Sequence, residues 1–269
     1  MCLTYGRVHL LEEAIESFLR QDYPGEKELL VLNDLAGQTL RCDHPEVTVV
    51  NLAVRFRTVG EKRNAAAALA RHDLLAVWDD DDIYLPHRLR YSMEHYDPDR
   101  RFYKPVFAFH LNNGEVSGPK RHVHHSAAVW HRSLFDEVRG YAHMGAGQDQ
   151  EIERHFAEIV PWPMNDWKIA PADIYYLYRW AGTGSYHNSG EGRGAEGSDR
   201  VGAIVSAGLD AGEVPTGRIR LKPRWRQDYA ALVADHIATL SRPVGHLGTP
   251  LPTVRAPKVR TPKVRTPKD

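Results

Sequence analysis

Cysteine is nearly absent from this chain. Its two cysteines, Cys2 and Cys42, have no metal-type spacing, so no disulfide framework is implied and a reducing compartment is the default. Long apolar runs are missing as well. None approaches the roughly 20 residues of a membrane span, and the N-terminus carries no signal-peptide pattern. The expectation is a soluble, cytoplasmic protein. An excess of one charge is also lacking, because 35 Lys and Arg balance 35 Asp and Glu. That balance argues against a surface made wholly for nucleic acid. What the chain does have is 42% hydrophobic residues in 269. This suffices for a buried core in one large domain, or one domain of two lobes.

The apolar residues fall into alternating patterns. Cys2 to Tyr5 is a short strand-like stretch, and after Gly6-Arg7 the residues Leu11, Ile15, Phe18 and Leu19 mark one helix face, with Glu12, Glu13 and Glu16 elsewhere. Leu29 to Leu32 and Val47 to Val50 read as strands, Ala65 to Ala70 as helix, and Leu74 to Trp78 as a buried strand. Strands alternating with helices at this spacing predict an α/β domain with a mixed, mainly parallel sheet flanked by helices. Further on, Phe102-Tyr103, Val106 to Phe109, Ala127 to Trp130 and Ile174 to Tyr178 are strand-like. Helices are expected near Ser133 to Arg139, with Ser133 as N-cap, over Gln148 to Ile159, and along Tyr229, Leu232, Val233, His236, Ile237 and Leu240. The apolar face of that last helix packs on its own chain or on a second copy, so a homo-oligomer is one option. Six glycines occur among the sixteen residues from Gly182 to Gly197, a composition that reads as a mobile lid or a disordered stretch.

Four consecutive aspartates, Asp79 to Asp82, follow the strand that ends at Trp78. In an open α/β sheet ligands bind at the carboxyl ends of strands, and Asn33-Asp34 ends a strand on the same edge. Like charges this close repel: at about 4 Å and an effective dielectric near 20, each pair costs on the order of 4 kcal/mol. A divalent cation reverses the sign, and carboxylate oxygens suit Mg²⁺ or Mn²⁺. The other reading is a solvated acidic turn before a helix near Pro86.

Together these residues resemble the family 2 glycosyltransferases with a GT-A fold. The resemblance runs from Thr4 to about Gly190. It is carried by Thr4-Tyr5-Gly6-Arg7, by Leu30 to Asp34, by Gly60-Glu61-Lys62-Arg63-Asn64, and by Asp79 to Asp82 with Pro86 four residues on. His125 to Phe135 with Gly140-Tyr141, Gln148 to Glu151, and Tyr178 through Ser189 complete the order. The resemblance implies a metal-dependent inverting transferase that moves a sugar from a nucleotide-diphosphate sugar, by analogy a UDP-sugar, to an acceptor hydroxyl on a glycan, a small molecule or a modified nucleic acid. Donor binding falls to Thr4, Tyr5, Arg7, Asp34, Lys62, Arg63, Asn64, Asp79 and Asp80. Mn²⁺ or Mg²⁺ falls to Asp81 with Asp79, and His187 is a further metal or phosphate ligand or an exposed loop histidine. Asp149 is the catalytic base, with Glu151 next. The chain then divides into a nucleotide-sugar-binding half (1–110), an acceptor-side half with the glycine-rich segment (111–217), a helical segment (218–248) and a tail (249–269). Three departures stand out: a first strand beginning almost at Met1, Leu35-Ala36-Gly37 in place of an acidic-glycine-serine turn, and Gln148-Asp149 in place of a Glu-Asp pair.

Plainer readings apply to several of these residues. Lys62-Arg63 reads equally as a solvated helix start, and Asp149 as favourable charge in a helix's first turn. His122, His124 and His125 have no evident acidic partner, which favours an acceptor-groove or surface role over a metal site. Trp130, Trp162, Trp167 and Trp180 read mostly as core. The tail repeats Val-Arg-(Ala/Thr)-Pro-Lys three times, with six basic residues against Asp269. Proline at every fifth position makes it extended and disordered, a solubilising segment or a holder of polyanions. Two rival functions remain. A sugar nucleotidyltransferase needs a glycine-rich phosphate loop after the first strand, where Tyr5-Gly6-Arg7-Val8-His9 offers one glycine. A non-catalytic binding module of the same fold, tethered to nucleic acid by the tail, is the other.

Overall fold

The computed structural model describes residues 1–121, 124–160, 165–179 and 196–240. In chain order, β1 (Cys2–Thr4) leads into helix α1 (Val8–Leu19), then β2 (Leu29–Asn33), β3 (Gln38–Arg41), β4 (Val47–Asn51) and helix α2 (Val59–Leu69). Next come β5 (Leu74–Ala76), β6 (Ile83–Tyr84), helix α3 (Arg88–His95), β7 (Phe102–Pro105), β8 (Phe107–Asn112) and β9 (Glu115–Arg121). A short 3₁₀ turn, His125–Ala127, precedes β10 (Val129–His131), helix α4 (Arg132–Glu137), helix α5 (Gln148–Ile159) and β11 (Asn165–Asp166). The chain continues through β12 (Tyr176–Arg179), helix α6 (Glu196–Asp210), β13 (Gly217–Arg220) and helix α7 (Tyr229–Leu240).

β1, β2 and β4 are parallel, with Cys2 opposite Val31 and Leu29 opposite Val47. The sheet continues sideways from β1 to β5, where the Met1 amino group donates to Ala76 O at 2.8 Å and Trp78 N donates to Met1 O at 2.8 Å. β10 then runs antiparallel between β5 and β7. The expected mixed, mainly parallel sheet is what the chain builds. A second sheet has the order β6-β12-β8-β9, and α1 buries Leu11, Ile15 and Phe18 against the core as its spacing predicts.

Several elements differ from the sequence reading. α2 begins six residues before Ala65, because Thr58 and Glu61 close a reciprocal capping box that satisfies the first free N–H groups. α4 is capped by His131, whose Nδ1 accepts from Ser133 N at 3.1 Å, so Ser133 lies inside the helix. β3, β9, α6 and β13 were not anticipated; β13 pairs with β3, Gly217 to Gln38, across a long stretch of sequence. Glu13 lies off the apolar stripe that the sequence predicts for α1, yet it is buried. It accepts from Tyr229 Oη at 2.6 Å, Arg226 N at 3.0 Å and Arg179 Nη1 at 2.8 Å, which pins α7 to α1. α7 therefore packs on its own chain: Tyr229 and Val233 are buried, and His236 Nε2 meets Gly118 O of β9 at 2.7 Å.

Trp130 is core, whereas Trp167 is exposed beneath the Arg121 guanidinium. Trp162, Trp180, His122, His187, most of the glycine-dense stretch and the tail lie outside the described residues. Among the described residues, no helix is long and apolar enough to cross a membrane.

Candidate active site

Three strand ends meet at one edge of the parallel sheet. β1 delivers Thr4 and, after the Gly6 turn, Arg7; β2 delivers Asp34; β5 leads into Asp79 to Asp82. The four aspartates do not form a solvated turn. Asp80, Asp81 and Asp82 are buried, and each has a partner. Arg7 forks across two of them: Nε reaches Asp80 Oδ2 at 3.2 Å, Nη2 holds Asp80 Oδ1, and Nη1 reaches Asp81 Oδ2 at 2.7 Å. Burial pushes the Asp80 carboxyl up to about 6, with Arg7 opposing the rise and Asp81 adding to it. Burial lowers the Arg7 pKa, but Asp80, Asp81 and Asp79 outweigh it and hold the guanidinium charged.

Asp82 serves the fold. Its Oδ2 accepts from Tyr176 Oη at 2.7 Å and its Oδ1 from Arg179 N at 2.9 Å, tying the acidic loop to β12. Burial, with Asp81 and Asp79, pushes its carboxyl well above the usual range. Asp79 is the most open of the four, its side chain 26% exposed. It accepts from Ser126 Oγ and lies 3.4 Å from Arg63 Nη2. Underneath, the fully buried Arg88 donates to Val77 O at 2.5 Å and Ser126 O at 2.8 Å, with its guanidinium over the Tyr84 ring at 3.9 Å. A buried cation below an acidic loop lowers the repulsion within it. The sequence reading missed Arg88, although an arginine two residues past Pro86 was the available signal.

Lys62 and Arg63 are not a solvated helix start. Lys62 Nζ donates to Asp34 Oδ1 at 2.5 Å and Thr4 O at 2.7 Å, while Phe56 N donates to Asp34 Oδ2 at 3.0 Å. Burial lowers the Lys62 pKa and Asp34 opposes it. Lys62 thus fixes Asp34 and joins β1 to β2. Asn64 holds a loop: its Oδ1 accepts from Tyr141 N at 2.8 Å and its Nδ2 donates to Tyr141 O at 2.9 Å. Glycine at 140 is required on two counts, since φ is +76° and a Cβ would come within 2.7 Å of Asn64 Oδ1. At Gly60 a Cβ would overlap Ala142 O, so the same loop rests directly on the start of α2.

α5 carries Asp149 in its first turn, partly buried. Arg63 lies within electrostatic reach of both carboxylates: burial would lower its pKa, but Asp79, Tyr141 and Asp149 together raise it. One turn along α5, Glu153 meets His125 Nδ1 at 2.8 Å and also holds Lys104, while His125 Nε2 meets Tyr141 Oη at 2.7 Å. The acidic partner that sequence did not show for the histidine group is therefore Glu153, and it makes His125 a buried brace. Despite its own burial, Glu153 is held below the usual carboxylate range by His125 and Lys104. His124 stacks on Tyr178, centroids 4.2 Å apart, and burial pushes its imidazole down to about 4, with His110 adding and Asp149 and Asp79 opposing.

Tyr5 lies under the Arg55 guanidinium at 4.3 Å and packs with Leu35 against Val205 of α6 and against Val214, which follows that helix. α6, unseen in the sequence, thus covers the side of the strand edge next to Asp34. Of the predicted site residues, Thr4, Asp34 and Lys62 are joined by hydrogen bonds, Arg7 links Asp80 and Asp81, Arg63 lies beside Asp79, and Asn64 is turned to the backbone of Tyr141. Among the described residues, no three His, Cys, Asp or Glu side chains form a metal-binding group. Asp79 and Asp81 are hard oxygen donors that suit a divalent ion drawing its other ligands from water and phosphate. A cavity of about 700 Å³ is lined by Phe18, Trp78, Leu89 and Tyr96, and none of the four aspartates faces it.

Comparison with known proteins bears on this arrangement. The sequence model of glycosyl transferase family 2 matches residues 2–148, more than half of the chain. No curated protein matches. Among solved structures, crystal structures of residues 1–349 of S. aureus TarS are similar. One has a TM-score of 0.51 at 16% identity, covering 66% of this chain and 59% of that one. The complex with UDP gives 0.51 at 14% identity, covering 78% and 71%. The complex with UDP-GlcNAc gives 0.51 at 15% identity, covering 67% and 58%. This chain therefore spans less than two thirds of the length of the first of them, and at such identities the likeness concerns the fold. With the family match over residues 2–148, the chain belongs to glycosyl transferase family 2 and has the GT-A fold.

Proposed function

We propose that this chain is a metal-dependent inverting glycosyltransferase that moves a sugar from a UDP-sugar to an acceptor hydroxyl in a single displacement. The observation that carries this reading is the placement of Arg63, 3.4 Å from Asp79 on the strand edge and within electrostatic reach of Asp149 on α5. An arginine between a carboxylate of the strand edge and one of α5 is what a shared site for donor and acceptor would need. The TarS complexes that hold UDP and UDP-GlcNAc support the choice of nucleotide.

The residues divide the work. Asp34, fixed by Lys62, retains lone pairs to accept an N–H of the base. Tyr5, braced by Arg55, stands beside it. Arg7 and Arg63 supply positive charge for the diphosphate. Asp81 and Asp79 would hold a divalent cation, which when bound neutralises charge on the leaving diphosphate. Asp149 accepts the proton of the acceptor hydroxyl as that oxygen attacks the anomeric carbon from the face opposite the leaving group. One such displacement inverts the anomeric configuration. Asp80 and Asp82 hold the loop, and Asn64 holds the turn at Tyr141.

The test is a screen of nucleotide sugars for nucleotide release with Mn²⁺ or Mg²⁺, on the wild type, Asp81→Ala and Asp149→Asn. The reading requires metal-dependent release from one donor, lost in Asp81→Ala, and donor binding without turnover in Asp149→Asn. Absence of both binding and release across the panel would leave a binding module as the better description.

A further inference from the structure

Arg63 has two buried nitrogens, Nε and Nη1, with no hydrogen-bond partner among the described residues. Its third, Nη2, lies 3.4 Å from Asp79 Oδ1, and its guanidinium carbon is 5.4 Å from the centroid of the Tyr141 ring. Buried donors of a cation call for acceptors, here the phosphates of the proposed donor. The Asp79 contact is long for a hydrogen bond and does not fix the group by itself. Tyr141 is the other support on which the orientation of Arg63 rests.

Tyr141 is itself held by a chain of buried groups. Its Oη lies 2.7 Å from His125 Nε2, His125 Nδ1 lies 2.8 Å from Glu153 Oε1, and Glu153 Oε2 holds Lys104. The His125 ring stacks on Trp130, centroids 4.7 Å apart, which keeps it from turning away. The polarity of the chain is forced. Lys104 can only donate and the Glu153 carboxylate can only accept, so His125 carries a hydrogen on Nδ1. Burial lowers the His125 pKa against the pull of Glu153 and keeps the ring neutral. Nε2 is then an acceptor and takes the hydroxyl hydrogen of Tyr141. The lone pairs of the Tyr141 oxygen are left for Arg63. Burial lowers the Arg63 pKa, and Tyr141 is second to Asp79 in raising it.

We propose that Tyr141 is a positioning residue for Arg63, its hydroxyl turned by a one-way hydrogen-bonded chain that runs from Lys104 through Glu153 and His125. This rests on the functional reading above, in which Arg63 meets the diphosphate. The chain can be reversed without a change of shape. In Glu153→Gln the single carbonyl must face Lys104, which turns the amide N–H to His125 Nδ1. The ring hydrogen then moves to Nε2, Tyr141 accepts it, and the hydroxyl hydrogen is turned toward Arg63. Adding Lys104→Met frees the carbonyl to face His125 and restores the original order.

The experiment combines ¹⁵N NMR of histidine-labelled full chain with calorimetric titration of UDP in the presence of Mn²⁺. His125→Gln identifies the His125 signals. The ring hydrogen sits on Nδ1 in the wild type, on Nε2 in Glu153→Gln, and on Nδ1 again in Lys104→Met/Glu153→Gln. UDP binding weakens about tenfold in Glu153→Gln and in Tyr141→Phe, the order of one hydrogen bond to a charged group. It recovers in the double variant. In an Arg63→Met background Tyr141→Phe adds no further loss, because the two residues act as one unit. A merely structural role would instead give additive losses and a double variant worse than Glu153→Gln. A His125 tautomer unchanged in Glu153→Gln overturns the proposal, as does a wild type to which UDP does not bind. So does a UDP affinity that Tyr141→Phe leaves alone, or lowers equally with and without Arg63. The two readings fail separately. UDP affinity that follows the tautomer, with no nucleotide release from any donor, sinks the transferase reading alone; metal-dependent release with additive losses sinks the positioning role alone.

Discussion

At the strand edge, Asp80, Asp81 and Asp82 are buried and clamped by Arg7, Tyr176 and the backbone of Arg179, whereas Asp149 is only partly buried in the first turn of α5. The difference follows from what each group has to do. Carboxylates that shape a loop around a diphosphate gain from being fixed and desolvated, because preorganised charge acts without rearrangement. The base proposed above must exchange its proton, which suits a carboxylate that is only partly buried. Its position is set instead one turn further on, where Glu153 is anchored by Lys104 and His125. Firm charge at the strand edge and a partly buried carboxylate on α5 form the contrast to be broken.

The largest effect is expected at the accessible carboxylate. Asp149→Asn removes the proposed base without changing shape, and general-base catalysis is worth about 10²–10⁴ in rate. Turnover should fall by that factor while the dissociation constant of the donor stays within a few-fold, measured by nucleotide release and by equilibrium binding. Retention of more than a tenth of the activity would move the base elsewhere, with Glu151 the next candidate.

On the firm side the expected loss is of stability. The Lys62–Asp34 pair has side chains 7% and 3% exposed, against 79% and 36% for Arg41–Asp43. Breaking a buried pair leaves an uncompensated charge and costs about 3–5 kcal/mol, while an exposed pair is worth about 0–1 kcal/mol. Lys62→Met should therefore lower the urea midpoint strongly and Arg41→Met hardly at all. Equal losses would mean that the Lys62–Asp34 pair is not desolvated as its burial indicates. Asn64→Ala lies between. It leaves the N–H and C=O of Tyr141 without their partners, at about 1–3 kcal/mol, and frees the loop that carries Tyr141 beside Arg63.

Much of this was legible in the sequence, for identifiable reasons. The strand ends at Asp34 and Asp79 stood out because buried strands read as continuous apolar runs, and α5 was delimited at both ends by its periodicity and its acidic first turn. Roles decided by tertiary partners were not legible. Glu13 looked like surface on α1 until α7 closed over it. Lys62 looked like a phosphate ligand until β2 brought Asp34 to it. β3 and β13 are short and partly exposed, and they pair across a stretch of chain that no local pattern spans. The capping box at Thr58 and Glu61 was readable and would have placed Lys62 and Arg63 inside the helix.

The smallest predicted effect concerns the acceptor side at low pH. The His124 imidazole is held near 4 by burial and by His110, against about 6.5 in an unfolded chain. Above 6.5 it is neutral in both states. Between about 6.5 and 4 the unfolded chain takes up a proton that the folded one refuses, so this residue makes stability fall as the pH drops through that window, by at most about 1.4 kcal/mol per pH unit. His125, also lowered, acts in the same direction. Asp80, raised to about 6, acts in the opposite one, because the folded state there binds the extra proton. The slope of the wild type alone is therefore not diagnostic, and the difference from His124→Gln is. Melting temperatures followed by circular dichroism from pH 7.5 to 4.5 should decline less steeply in the variant, with the curves separating below about 6.5. Parallel curves would show that His124 takes up its proton in the folded state, and that Tyr178 stacks on a charged ring rather than a neutral one.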